Sequence, residues 1–160
     1  DHDYLISGNH FFCSDDDSEI MNIWFYNNLI NTNPAKTHEY IIRHYETMCK
    51  AIKSGLFDFL AHPDYVRRVE GYGNFSYKNE QEKVIKALVE SGIGCEISTK
   101  GIRNCGCLYP ENKMLEMLVE ANVPMVVSDD AHSCMELGYF FDVAEKALDM
   151  VGCHNRLRLK

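Results

Sequence analysis

The sequence predicts an α/β fold in which a parallel sheet is covered by helices. Four units of one design follow one another, each a short apolar strand and then an amphipathic helix. The strands are nearly continuous apolar runs, as expected where both faces of a sheet are buried. Those two observations fit a doubly wound open sheet or part of a (β/α) barrel equally well. A third favours the barrel: polar side chains gather just past the C-terminal ends of the strands, the rim where barrels carry their chemistry.

The first strand is expected over 4–8 and runs into Asn9, His10, Phe11 and Phe12. A polar, aspartate-rich stretch over 14–18 opens a long connection, with a turn at Asn31 to Pro34. Thr37 is the expected N-cap of the first helix, where Ile41, Tyr45, Met48 and Ile52 share a face and Ser54-Gly55 gives the stop. The second strand, over 57–61, ends at His62-Pro63-Asp64. A glycine- and tyrosine-rich loop leads to a helix from about Asn79, burying Val84, Ile85, Leu88 and Val89 and stopping at Gly92. The third strand, over 94–98, precedes a helix from about Glu111 with Met114, Leu115, Leu118 and Val119 inward. The fourth, over 124–128, ends at Asp129-Asp130-Ala131-His132. A last helix from Cys134 or Glu136 turns Phe140, Ala144, Ala147 and Val151 to the core.

Composition narrows the function classes. The 160 residues suit one domain, and 46% hydrophobic content is enough for a core. A mean hydropathy of -0.29 describes an ordinary globular chain. No apolar run reaches the roughly 18 residues of a membrane span, and the opening residues do not read as a signal peptide. The net charge of -8 argues against a nucleic-acid surface, although a phosphate monoester can still bind where positive charge is local or carried by ions. Seven cysteines without an export signal read as reduced thiols in a cytoplasm. Cys105 and Cys107 are the only close pair, one residue short of zinc-knuckle spacing, and read as incidental.

His10, His62 and the Asp130/His132 pair follow three of the four strands. A fold that aligns strand ends would bring these imidazoles and carboxylates together, and they are suitable ligands for zinc, manganese or iron. Two or three such ions would bind phosphate oxygens and supply a hydroxide nucleophile. The bland alternatives are solvated histidines, and a proline turn at 62–64 in which the aspartate caps the next few residues. Three such events at three strand ends weigh against accident.

Four segments resemble the PHP family of metallophosphoesterases, in that family's order and across nearly the whole chain. Residues 3–11 resemble its "DYVIGSVHF", residues 57–64 its "FDVLAHPD", residues 96–103 with Tyr109-Pro110 its "EINTSGLR…YP", and residues 128–132 with Leu137-Gly138 and Phe141 its "SSDAH…VG…F". The third segment points to the histidinol-phosphatase branch. The resemblance implies the C-terminal half of a distorted (β/α)7 barrel, about four β-α units within a single domain portion over 1–160. It implies two or three divalent metal ions (Zn, Mn or Fe), with His10 and His62 on one, Asp130 on a second and His132 on a third. Arg103 would bind the substrate phosphate, a role that suits a guanidinium. Asp64 would orient a ligand from behind. Arg103, Asp130 and His132 carry the expected catalytic roles.

The family's opening His-x-His and bridging glutamate have no counterpart here, so these donors alone do not complete a ligand set. Ser98 stands where the family has asparagine. The expected reaction is hydrolysis of histidinol phosphate to histidinol and phosphate, with a complementary chain or the missing N-terminal half as a further partner. Action on other small phosphate esters or nucleotides is the alternative, as is a non-catalytic half-barrel module. His2, His38, His44 and His154 are expected to be solvated, as are Arg67 with Arg68 and Asp15 to Asp17. Glu96 is expected to point toward core or rim without ligating.

Overall fold

The computed structural model of the chain describes residues 2–13, 20–22 and 33–158. Within them lies a four-stranded parallel sheet, β1 (Ile6–Ser7), β4 (Phe59–Leu60), β5 (Gly94–Ser98) and β6 (Met125–Ser128), ordered as in the chain. A separate antiparallel pair, β2 (Phe11–Cys13) and β3 (Ile20–Asn22), joins where the sequence suggested a continuation of the first strand. The aspartates at 15–17 lie outside the described residues.

The α/β fold with parallel strands is as expected, but three strands are shorter than their apolar runs. Only β5 keeps its full length, all five residues buried. Ladder hydrogen bonds reach it from both sides: Phe59 faces Gly94, and Cys95 to Ser98 face Met125 to Ser128. Strand β1 has one partner, β4, and Tyr4, Leu5 and Ile6 are all more than 40% exposed. It is fixed from the β4 side, where the Asp58 carboxylate accepts the Leu5 N–H at 2.7 Å.

Helix α1 (Pro34–Lys53) starts earlier than expected. Asn33, not Thr37, is its cap: the Asn33 side chain accepts the Lys36 N–H, and Pro34 takes the first position, where no donor is missed. Thr37 is buried and its hydroxyl bonds the Asn33 carbonyl. The face carrying Ile41, Tyr45, Met48 and Ile52 is core, as the spacing predicts.

Helix α2 (Lys78–Ser91) ends at Gly92, whose φ of 71° closes the last turn onto the Leu88 carbonyl. Val89 is exposed, because one face of α2 meets α1 and α4 (Asn112–Glu120) while residue 89 lies off it. A helix the spacing did not predict, α3 (Lys100–Cys105), follows β5 directly. The last helix, α5 (Phe141–Met150), starts later than expected. A single 3-10 turn occupies Cys134–Glu136, and left-handed residues at Gly138 and Phe140 break the path before the helix begins. Its buried face is Ala144 and Leu148.

Candidate metal and phosphate site

The C-terminal ends of β1, β4 and β6 meet at one mouth. The imidazoles of His10 and His62 stand edge to face with centroids 4.9 Å apart, and Tyr65 lies 4.9 Å from each. Both rings border Gly8, where an added Cβ would sit 3.5 Å from His10 and 3.8 Å from His62. Burial lowers the pKa of His10, helped by repulsion from His62 and His132 and opposed by Asp130. Burial likewise lowers that of His62, again opposed by Asp130. Both shifts favour the neutral imidazole, whose ring nitrogen can donate a lone pair. His62 Nδ1 is buried and has no hydrogen-bond partner among the described residues. Four residues from three segments far apart in sequence thus act on one another at a common rim.

The backbone is strained at two of these positions. His62 and Asp130 have φ of 25° and 47°, left-handed values that non-glycine residues seldom adopt. Each lies just past its strand, where the chain must turn sharply to present its side chain at the rim.

Glu96 holds the two turns together. Buried in β5, its carboxylate accepts the His62 N–H at 3.2 Å through Oε1 and the Ser128 hydroxyl at 2.9 Å through Oε2. Burial raises its pKa to about 7, against the pull of these donors. It faces the rim without being placed as a ligand. Glu96→Ala strands a buried amide and a hydroxyl, which should cost about 2 kcal/mol. The check is a lower urea midpoint at unchanged slope; a midpoint equal to that of the parent would show that the clamp contributes nothing.

Around His132 two cations gather on one carboxylate, Glu136. Lys100 Nζ lies 3.1 Å from His132 Nδ1, donates to the Asp130 carbonyl at 3.1 Å and reaches Glu136 at 3.4 Å. His132 Nδ1 also lies 2.9 Å from the Asp130 carbonyl and 3.8 Å from its carboxylate. Arg103 pairs with Glu136 at 2.9 Å and donates to the Asp129 carbonyl at 3.0 Å. Asp129 turns away from the mouth, its carboxylate taking the Ala131 and Gly138 N–H groups and shaping the loop.

Asp64 is buried behind the mouth. Its Oδ2 accepts the Glu111 N–H at 2.8 Å and pairs with Arg67 Nε at 2.6 Å, and none of its described hydrogen bonds reaches an imidazole. Burial raises its pKa to about 6 despite Arg67.

Several residues expected to be solvated are not. Arg67 is half-buried against Asp64, and Arg68 reaches the Tyr65 hydroxyl at 2.6 Å with its guanidinium over the ring. His38 stacks on Phe75 with centroids 4.2 Å apart and bonds the Tyr77 hydroxyl. His44 is wholly buried, and among the described residues its Nε2 has no partner. His2 and His154 are exposed, as expected.

Among the described residues, no three His, Cys, Asp or Glu side chains are arranged to hold an ion by themselves. The donors nonetheless suit divalent ions chemically: two neutral imidazoles, one with a buried free nitrogen, beside an aspartate.

No family model matches the chain. It is 25% identical over 118 residues to a Schizosaccharomyces pombe protein named "Probable histidinol-phosphatase", a match that spans 73% of this chain and 35% of that protein. The fold resembles the crystal structure of the "putative histidinol phosphatase hisK" from Listeria monocytogenes, with a TM-score of 0.56 at 15% identity over 84% of this chain and 55% of that one. The architecture is thus an α/β fold with a parallel sheet and covering helices, shared with that structure. The chain spans about a third of the curated relative and about half of the solved structure.

Proposed function

We propose that the chain is the C-terminal part of a metal-dependent phosphomonoester hydrolase whose substrate is histidinol phosphate. The observation that carries this is the gathering of His10, His62, Asp130 and His132 at one rim, with His62 Nδ1 buried and unpartnered. The names of the two similar proteins support the substrate class. A sheet whose strands follow chain order without reversal supports a barrel portion over a doubly wound sheet, which reverses at a switch point.

His10, His62, Asp130 and His132 would hold two or three divalent ions together with ligands from further chain. Bound ions would polarise the phosphate and lower the pKa of an attacking water. The chain's own groups then orient and neutralise. Lys100 and Arg103, gathered by Glu136, place positive charge beside His132, where the equatorial oxygens of a phosphoryl group develop charge. Arg103 engages the phosphate by exchanging its bond to Glu136 for one to a phosphate oxygen. Glu96 keeps the His62 turn and the β6 end in register.

The test is an assay of the full-length protein with manganese or zinc on histidinol phosphate, a nucleotide and a sugar phosphate. Histidinol phosphate should be hydrolysed fastest, and a chelator should abolish turnover. His62→Ala should lower kcat more than about 100-fold, beyond what loss of a supporting residue costs, whereas His154→Ala should leave it unchanged. Equal rates on all three esters would remove the assigned substrate; activity indifferent to both chelator and His62→Ala would remove the site.

A second reading, a half-barrel module completed by another chain, draws on apolar side chains exposed beside both outer strands. Tyr4, Leu5 and Ile6 lie at the β1 edge, and Leu137 and Tyr139 come after β6. A metal-free protein that associates with a second chain and has no phosphatase activity would favour it.

A further inference from the structure

The Cys105-Gly106-Cys107 segment lies apart from the histidine cluster, on the wall of an open cavity of about 1000 Å³ that Tyr72, Phe75, Tyr77 and Lys113 also line. Helix α3 ends at Cys105, and Gly106, with φ of 76°, turns the chain back so that both thiols face the same way. The two Sγ atoms are 3.5 Å apart. That is too far for a bond of about 2.05 Å, so the pair is a dithiol whose sulfurs touch and must approach further to close.

Arg67 is fixed over the pair. Its Nε is held by Asp64 at 2.6 Å, one terminal nitrogen donates to the Leu108 carbonyl at 2.9 Å, and that same nitrogen lies 3.2 Å from Cys107 Sγ and 4.0 Å from Cys105 Sγ. A guanidinium so placed stabilises a thiolate. Cys105 is exposed and Cys107 half-buried. Burial raises the Cys107 pKa while Arg67 opposes it, so the accessible Cys105 sulfur is the one an incoming reagent meets first.

We propose that Cys105 and Cys107 form a thiol–disulfide exchange site that takes a low-molecular-weight disulfide and closes to an intramolecular disulfide. The Cys105 thiolate attacks one sulfur of the incoming disulfide, breaking its S–S bond and expelling one small thiolate. The Cys107 thiolate, beside Arg67, then attacks Cys105 Sγ and expels the second. The small disulfide is reduced to two thiols as the dithiol is oxidised, and the two protein protons pass to solvent or to the departing thiolates. Both sulfurs line the cavity, and the exposed Cys105 is the one open to the reagent. This site stands independently of phosphatase activity.

The experiment treats the reduced full-length protein with oxidised glutathione in the absence of oxygen, quenches with acid, alkylates remaining thiols under denaturing conditions and maps the peptides by mass. The peptide carrying both cysteines should be lighter by two hydrogens, unalkylated and free of glutathione. Cys134, an exposed thiol, serves as the internal control and should carry a glutathione adduct. Cys107→Ser should trap glutathione on Cys105, and Cys105→Ser should slow adduct formation at Cys107 by about tenfold or more, the order of a difference in thiol access. A wild-type pair still fully alkylated once Cys134 has reacted would overturn the proposal. So would glutathione accumulating on both sulfurs without ring closure, or equal adduct rates in the two serine variants.

Discussion

Gly101→Ala should destabilise the protein by at least about 3 kcal/mol, the top of the range for inserting atoms into packed interior. A Cβ at this position would collide with the Cys107 carbonyl oxygen and lie 2.9 Å from both the Leu108 carbonyl carbon and the Tyr109 nitrogen. All three are backbone atoms, so no side chain can swing away. Nor can that backbone retreat: Tyr109 is tied to Ser98 by hydrogen bonds of 2.6 and 3.1 Å, and Leu108 is bonded by Arg67. The thermal midpoint should fall by roughly 6–12 °C, given the few degrees per kcal/mol typical of this size. Gly106 gives the contrast. Its φ of 76° penalises a side chain, but nothing lies within 4 Å of an added Cβ, so Gly106→Ala should cost only about 1–2 kcal/mol. If Gly106→Ala proves the more damaging of the two, the close approach of α3 to the 107–109 backbone is wrong.

The second large effect is acid sensitivity from His44. Burial, with repulsion from His62 and His10, lowers its pKa to about 3, against 6.5 for the free side chain. The folded state therefore refuses a proton that the unfolded state accepts. Its contribution is complete above about pH 6.5 and is lost as pH falls toward 3, by up to about 5 kcal/mol in all. Asp64 and Glu96 act in the opposite sense. Their folded values near 6 and 7 lie above their free values, so protonation between about pH 4 and 7 favours the fold. For that reason the informative quantity is a difference. Stability against pH should be measured for the parent and His44→Phe, with chelator present so that no ion occupies the mouth. Between pH 6.5 and 5 the gap between the two curves should shift by about 2 kcal/mol in favour of the variant. Parallel curves would mean that His44 is hydrated in the folded protein.

His44 also shows how much of the site could be read from sequence. It follows Ile41 by three positions and precedes Met48 by four, so helical spacing alone places it on the buried stripe with Tyr45 and Ile52. Its chemical character argued for solvent, and geometry prevailed. The positions of His10, His62, Asp130 and His132 were legible because they follow apolar runs, and strand ends are the most robust feature of a parallel α/β pattern. Glu96 was legible as an anomaly, one carboxylate within a strand buried throughout, but nothing in the sequence says that it joins two neighbouring turns.

Lys100 escaped notice because α3 could not be seen. Six residues are too few for a periodic signal, and the glycine within them argues against a helix. The start of α5 was misplaced for a similar reason. Spacing continued back to Glu136, but the Asp129 carboxylate takes the Gly138 N–H and holds the chain in a loop. Arg67 was read as a surface cation because its partners, Asp64 aside, include a carbonyl, thiols and the Glu111 carboxylate about forty residues away, linked only by the tertiary fold.

The single carboxylate shared by the His62 amide and the Ser128 hydroxyl acts as a common axle for the two neighbouring loops. Each engages a different oxygen of that axle, so a change in its direction would reach both at once. Cargo captured near β4 would thus be felt at the tip of β6, and the two flanks of the mouth would tighten or loosen in concert.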